Sequence, residues 1–321
     1  MRINSVGMFL TRRCNFRCIY CNTDTGSDPS DKLSLDEAKD IVVQARALGA
    51  RWLVIPGEGE PMLDKNLFPL IEFSLSQKLH TKVFTNGSLI DRRAADFFFR
   101  NRVSVVYKLH AADEQTYDVL AGKKNAAEWV EYRKPKEMQR TIRIPVGLRH
   151  LLEAGYGHGN DRYRLNPLFE LATVIVRPNL NQIPLIARMA KDLDSGLFVE
   201  TTIFTGRAVE NADFLSVTVE EELHLYNNLS RILGWRFRAQ QKVRCRFETN
   251  PFFDVNGRLR HCYGLDADIG CISESSLEDL HAKELSLRKK TDMISRIWNW
   301  GHRGFRKCAT RRRLDCHDMA R

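Results

Sequence analysis

The chain has 321 residues, 43 % hydrophobic and 28 % charged, so a core of ordinary size is expected and extensive disorder is excluded. No apolar run approaches the roughly 18–20 residues of a membrane span, and no apolar segment with a cleavage site follows Met1 to Val6, so the expectation is a cytoplasmic protein without a membrane partner. Net charge is +10, and nearly all of it lies in Arg231 to Arg321, where 20 Lys and Arg face 11 Asp and Glu. That basic third fits a solvated face, an anionic substrate, an acidic redox partner or nucleic acid, and charge does not rank these.

Val6 to Leu10 is a short apolar run that enters the first cysteines. Leu35 to Leu48 repeats apolar residues at helical spacing, with Ser34 as N-cap, Glu37 three residues later and Gly49 as a stop. Trp52 to Ile55 reads as a buried strand and Leu67 to Leu79 as a helix. Thr81 to Thr85 is a strand ending in the turn Asn86-Gly87, followed by a helix over Asp91 to Arg100 and a strand over Val103 to Leu109. The charged stretch Lys123 to Pro167, with Gly155, Gly157 and Gly159, reads as a helical insertion plus a loop. Strands follow at Leu171 to Val176 and Phe198 to Phe204, and helices at Ile183 to Leu193 and Val219 to Leu233.

This alternation implies βα units, a parallel sheet and an α/β fold. Five or six such units make an open or closed barrel, with chemistry at the C-terminal ends of the strands. The last third is less periodic and reads as a smaller domain organised around its cysteines, which sets expected domains of 1–233 and 234–321.

Eight cysteines without an export signal read as metal ligands rather than disulfides. Cys14, Cys18 and Cys21 form C-x3-C-x2-C just after the first strand, whereas Cys245, Cys262, Cys271, Cys308 and Cys316 lie in the basic third. Three thiolates on one loop can hold three irons of a four-iron–four-sulfur (4Fe–4S) cluster and leave the fourth iron open. Structural zinc normally takes four protein ligands, and the nearest fourth donor, Asp24, is a poor companion for three thiolates. Paired carboxylates suited to glycoside chemistry, a phosphate loop with Lys and a Ser-His-Asp order are not visible.

The cysteine loop, with its βα repeats, resembles the radical S-adenosylmethionine (SAM) superfamily from about Val6 to Arg207. Gly57-Glu58-Gly59-Glu60-Pro61 is similar to the family's Gly-Gly-Glu-Pro loop, which lines the amino group of SAM, with Glu58 where a second glycine is usual. Tyr20 matches the aromatic position near the adenine, and Thr85-Asn86-Gly87 matches the turn after the third strand. Lys108 stands in a segment similar to the family's Ser-Leu-Asp, where its ammonium either pairs the SAM carboxylate or snorkels to solvent. The resemblance implies a partial (β/α)6 TIM-like barrel with a 4Fe–4S cluster on Cys14, Cys18 and Cys21. It implies SAM-binding residues at Tyr20, Gly57, Gly59, Glu60, Pro61, Asn86 and Lys108.

Cys245, Gly257 and Cys262 are spaced as in the opening of SPASM and twitch domains, and Ile269-Gly270 and Ser276 to Leu280 also fit. The resemblance implies a second, auxiliary 4Fe–4S cluster on Cys245, Cys262, Cys308 and Cys316, in a small C-terminal iron–sulfur domain of the shorter twitch type. Cys271 is then a free, buried thiol.

The chemistry this implies is reductive cleavage of SAM to a 5′-deoxyadenosyl radical, which takes hydrogen from a small polar substrate such as an amino sugar or aminocyclitol. The leading outcome is oxidation of a carbon bearing a hydroxyl or amine. The implied partner is an acidic electron donor such as flavodoxin or ferredoxin. Other readings are a ribosomal-peptide maturase, cofactor or RNA modification, a redox-neutral epimerase or dehydratase, and a non-catalytic electron-transfer protein. Glu58, His110, Arg207 and His261 are weak candidates for the base.

Overall fold

The computed structural model describes residues 2–23, 25–26, 28–29, 32–133, 141–157, 168–233, 237–239 (main chain only), 250–260 and 269–287. The chain divides into two compact units. One comprises Met1–Arg13, Gly26–Thr81 and Lys242–Arg321, the other Cys14–Thr25 and Lys82–Gln241.

In the first unit, β1 (Ser5–Met8) pairs in parallel with β2 (Trp52–Ile55), Val6 opposite Leu53. Its other edge pairs in parallel with a two-residue strand from the last third, Phe252–Phe253 (β10 in chain order), Gly7 opposite Phe252. Gly7 is needed there because a Cβ would stand 2.0 Å from the Phe252 ring. Helix α1 (Leu35–Ala47) starts with the expected Ser34–Glu37 capping box and buries Ala38, Ile41, Val42 and Ala45. Helix α2 (Leu67–Ser76) buries Leu67, Leu70 and Ile71. A further helix at 277–287 buries Leu277 and Leu280, and the Leu277 N–H donates to Gln44 Oε1 at 2.8 Å.

The second unit is built on parallel strands β3 (His80–Thr85), β4 (Ser104–Lys108), β7 (Phe169–Ile175), β8 (Gly196–Thr201) and β9 (Phe237–Ala239), each paired with the next. Helices α3 (Arg92–Arg100), α4 (Glu114–Ala121), α6 (Ile183–Asp192) and α9 (Val219–Leu233) carry the connections. Lys82 and Glu170 form a buried ion pair at 3.3 Å, which satisfies two charges that the sheet would otherwise strand.

One expectation is corrected. The stretch from Lys123 onward, read as a helical insertion plus a loop, begins with an antiparallel hairpin of β5 (Trp129–Tyr132) and β6 (Ile142–Pro145). Pro145 closes β6, its fixed φ of −60° serving as the N-cap of α5 (Val146–Ala154). Two four-residue strands separated by charged residues show too little alternation to stand out in sequence. Among the described residues no helix is long and apolar enough to cross a membrane.

Candidate active site

The loop at 14–23 is tied by its backbone to the rest of the second unit. The N–H groups of Arg17 and Ile19 donate to the carbonyls of Ala121 and Leu120 at the end of α4, at 2.9 and 3.1 Å. These bonds require close approach, and Gly122 supplies it: its φ is +61°, and a Cβ there would lie 2.1 Å from the Arg17 carbonyl oxygen. From the far side come residues 205–208 and the two short helices α7 (Arg207–Glu210) and α8 (Ala212–Leu215). Thr205 Oγ1 donates to the Asn22 carbonyl at 2.7 Å, Arg207 Nη1 to that of Cys18 at 3.2 Å, and the Ala208 N–H to that of Cys21 at 3.0 Å. Asn211 Nδ2 adds a bond to the Ile19 carbonyl. Ile19 and Tyr20 pack on a small core of Leu120, Val176, Ala208 and Leu215.

With the backbone so engaged, the three thiols are half-buried and free of disulfides. Burial pushes the Cys18 thiol up, and charge on Cys21 and Cys14 adds to it, so the three sulfurs share one electrostatic environment. Among the described residues no group of three or more His, Cys, Asp or Glu side chains is placed to hold a single metal ion. The donor set is three sulfurs of one loop, and a polynuclear cluster that disperses their charge fits it.

Around this loop stand several residues expected to meet SAM. Asn86 donates from Nδ2 to Asn15 Oδ1 at 2.9 Å, and Asn15 Nδ2 donates to Ser88 Oγ at 2.8 Å, so the turn after β3 grips the loop between its first two cysteines. Lys108, at the end of β4, is ion-paired with Glu200 of β8, and its side chain is 21 % exposed, so it is not a solvent-facing lysine. Burial lowers its pKa to about 8, while negative charge on Cys18 and Cys21 works the other way. The Tyr20 hydroxyl meets His110 Nδ1, and the His110 ring stands 4.7 Å from Tyr117 between ring centroids. Burial and the nearby Lys108 ammonium bring the pKa of His110 down to about 3, which makes it a weak base at neutral pH.

In the first unit, the loop at 57–61 follows β2. The Gly59 N–H donates to the Thr11 carbonyl at 3.0 Å and the Glu60 N–H to that of Arg13 at 2.8 Å. A Cβ on Gly59 would lie 2.2 Å from the Arg13 oxygen, so only glycine fits. Glu60 is 2 % exposed, and its Oε1 accepts from the Met62 N–H to cap the 3-10 turn that Pro61 begins. Gly57 is held against this turn, a Cβ there lying 2.6 Å from the Gly59 oxygen. Glu58, the departure from the usual glycine, has its pKa raised by burial against the opposing pull of Arg12 and Arg260. Asp28 anchors the approach to the cysteines: it accepts from Thr11 Oγ1 and the Arg12 N–H at 2.6 and 2.7 Å, and pairs with Lys32 and Arg13.

Of the second cysteine set, Cys245, Cys262, Cys308 and Cys316 lie outside the described residues, as does His261. Gly257 is described: it sits in a turn with φ +75°, where Asp254 Oδ1 accepts from the N–H groups of Asn256 and Arg258. Cys271 is buried, as expected, forms no disulfide and donates to the Asn256 carbonyl at 3.4 Å.

Sequence reasoning missed Asn15, Thr23, Glu200 and the clamp at 205–208. Asn15, Glu200 and the clamp are defined by partners distant along the chain, whereas Thr23 meets Cys21 two residues away, and only the Thr205-Gly206 pair after a strand offered a local turn signal.

Residues 8–134 match the Radical SAM superfamily. The chain is 26 % identical over 239 residues to the AdoMet-dependent heme synthase of Methanosarcina barkeri, covering 74 % of this chain and 60 % of that one. It is 24 % identical over 219 residues to the mycofactocin maturase MftC of Mycolicibacterium smegmatis, covering 68 % and 49 %. The chain therefore spans about half to three-fifths of the length of these curated relatives. In structure it is similar to Streptococcus suis SuiB bound to its precursor peptide SuiA, with a TM-score of 0.67 and 14 % identity, over 87 % of this chain and 64 % of that one. That likeness shows the fold, the expected α/β architecture of mostly parallel strands. The stretch that matches the Radical SAM superfamily, residues 8–134, holds the cysteine loop, the loop at 57–61 and the strand-end residues Asn86 and Lys108.

Proposed function

We propose that the chain is a radical SAM enzyme that holds a 4Fe–4S cluster on Cys14, Cys18 and Cys21. The observation that carries this is a loop whose backbone is bonded from both sides and whose three thiols are half-buried, share one electrostatic environment and form no disulfide. When bound, the cluster and SAM supply a 5′-deoxyadenosyl radical that takes a hydrogen atom from substrate.

This chain's residues do the binding and orientation. Gly57, Gly59, Glu60 and Pro61 present a rigid turn for the amino group of SAM, and Tyr20 lies against the adenine. Asn86 fixes the loop through Asn15. Lys108 keeps Glu200 as counter-charge and offers its remaining N–H donors to the carboxylate of SAM. Replacing Lys108 by Ala should weaken SAM binding by about 1.5–3 kcal/mol without changing iron content, and unaltered affinity would leave the residue as Glu200's partner alone.

Cys245, Cys262, Cys308 and Cys316 are proposed to hold an auxiliary 4Fe–4S cluster in a twitch-type domain over 234–321. With no open iron, that cluster would accept the electron released when a carbon bearing a hydroxyl or amine is oxidised, which makes the protein a cytoplasmic oxidoreductase acting on a small polar substrate. The names of MftC, a maturase, and of SuiB bound to a precursor peptide favour a second reading, a peptide substrate. Either is served by flavodoxin or ferredoxin as electron donor. The test is anaerobic reconstitution, expected to load about eight irons, followed by mass spectrometry with amino sugars and with peptides. One 5′-deoxyadenosine per product lighter by two hydrogens supports oxidation. A product of unchanged mass, or one lighter by water or ammonia, removes the oxidoreductase reading. Absence of iron uptake and of SAM cleavage removes the enzyme reading.

A further inference from the structure

Thr23 is 8 % exposed, and its Oγ1 lies 3.2 Å from Cys21 Sγ. Between a thiol and a hydroxyl either atom can donate. Bound to iron, Cys21 is a thiolate without a proton, so only Thr23 can donate. The contact is held from outside. Thr205 Oγ1 donates to the Asn22 carbonyl at 2.7 Å, and Gly206, at φ +55°, lies so close that a Cβ would stand 2.9 Å from the carbonyl carbons of Asn22 and Thr23. The Ala208 N–H bonded to the Cys21 carbonyl fixes the cysteine from the same segment. Cys14 receives a weaker donor, the Phe16 N–H at 3.5 Å.

Resting on the radical SAM reading above, we propose that Thr23 is a positioning residue that acts through Cys21. Its hydroxyl donates to the iron-bound sulfur and raises the cluster's reduction potential, and residues 205–208 hold it in place. A hydrogen bond to sulfur draws off negative charge and favours the reduced, more negative cluster. Because a hydroxyl is deleted in Thr23→Val with little change of shape, the substitution removes the donor and leaves the packing.

The test is an anaerobic redox titration of the full reconstituted chain, followed by electron paramagnetic resonance. The SAM-dependent change of one signal identifies the cluster on Cys14, Cys18 and Cys21. Thr23→Val should shift that signal to lower potential at wild-type iron content, Thr23→Ser should restore the wild-type potential, and Thr205→Val should give a smaller shift in the same direction. An unchanged potential in Thr23→Val, or an equal shift in Thr23→Ser, overturns the proposal. So does loss of iron in Thr23→Val, which would show that the hydroxyl holds the loop together rather than tuning the sulfur. A wild-type chain with no SAM-responsive signal would overturn the radical SAM reading itself, and this inference with it.

Discussion

The loops at 14–23 and 57–61 both follow parallel strands, β1 and β2, yet they are immobilised in opposite ways. The cysteine loop is gripped from outside, by α4 on one side and residues 205–211 on the other. Its three half-buried cysteines are thereby fixed in place for a ligand. The second loop is gripped by itself and by the segment at 11–13, through glycines that let backbone touch backbone and a buried Glu60 that caps its own turn. Its binding surface is the main chain. A loop that must offer side chains borrows its rigidity from elsewhere, and a loop that must offer backbone carries its rigidity in its own residue types.

The largest effect should come from the side chains of the first loop. Replacing Cys14, Cys18 and Cys21 together by Ala should remove about half the iron of the reconstituted protein and abolish 5′-deoxyadenosine formation, checked by iron analysis and chromatography. Full loss of iron would mean that the auxiliary cluster does not form independently. Unchanged iron would break the assignment of this loop.

The next effect separates the two kinds of grip. Gly122→Ala drives a methyl to 2.1 Å from the Arg17 oxygen, and Gly59→Ala drives one to 2.2 Å from the Arg13 oxygen. Each should cost about 1–3 kcal/mol by denaturant unfolding. Their secondary consequences should diverge. Gly122→Ala displaces the loop that carries the cysteines and should reduce iron uptake. Gly59→Ala should take up iron normally and bind SAM more weakly. If both variants lose iron equally, the distinction between the loops is wrong.

A smaller effect is expected at Asp28, which steadies the approach to the cysteines. Burial alone would raise its pKa, but hydrogen bonds from Thr11, the Arg12 N–H and Lys32 outweigh it and hold the carboxyl below its ordinary value. A depressed folded value means that the ionised form is favoured by folding. Its contribution is therefore present above the ordinary carboxylate pKa and lost as pH falls through the folded one. Asp28→Asn should lower stability by about 1–3 kcal/mol at neutral pH and flatten the acid limb of the stability profile. An acid limb identical to wild type would show that other carboxylates set it.

What could be read from the chain beforehand follows the range of the interactions. Helix α1 was legible because Ser34, Glu37 and its apolar repeat are all local, and β2 because four apolar residues stand between Arg51 and the chain-breaking Pro56-Gly57. Helix α9 runs over Val219–Leu233, the range its apolar spacing marks out. Helix α4 was missed: its apolar positions are few, although Asp113 and Gly122 cap it at either end. The pairing of Phe252 with Gly7 spans most of the chain, and nothing in the sequence of either announces the other. The same holds for the site. The cysteine spacing was visible at once, but the Lys108–Glu200 pair and the grip of residues 205–208 join segments that are near only after folding.

The smallest effect tests the other end of the comparison, a cysteine that should hold nothing. Cys271 is buried and donates weakly to the Asn256 carbonyl, while Ser273 Oγ donates to its sulfur at 3.2 Å. It borders a polar cavity of about 360 Å³ with Lys32, Glu37, Arg258 and Glu274. Its backbone bridges Arg258, and that bridge does not depend on the side chain. Cys271→Ala removes one small, soft group beside an existing cavity, so the loss should stay near 1 kcal/mol, below the usual range for larger core truncations. Iron content should equal that of wild type. Should iron fall in Cys271→Ala while Cys308→Ala retains it, the auxiliary ligand set is misassigned, and Cys271 takes the place given to Cys308.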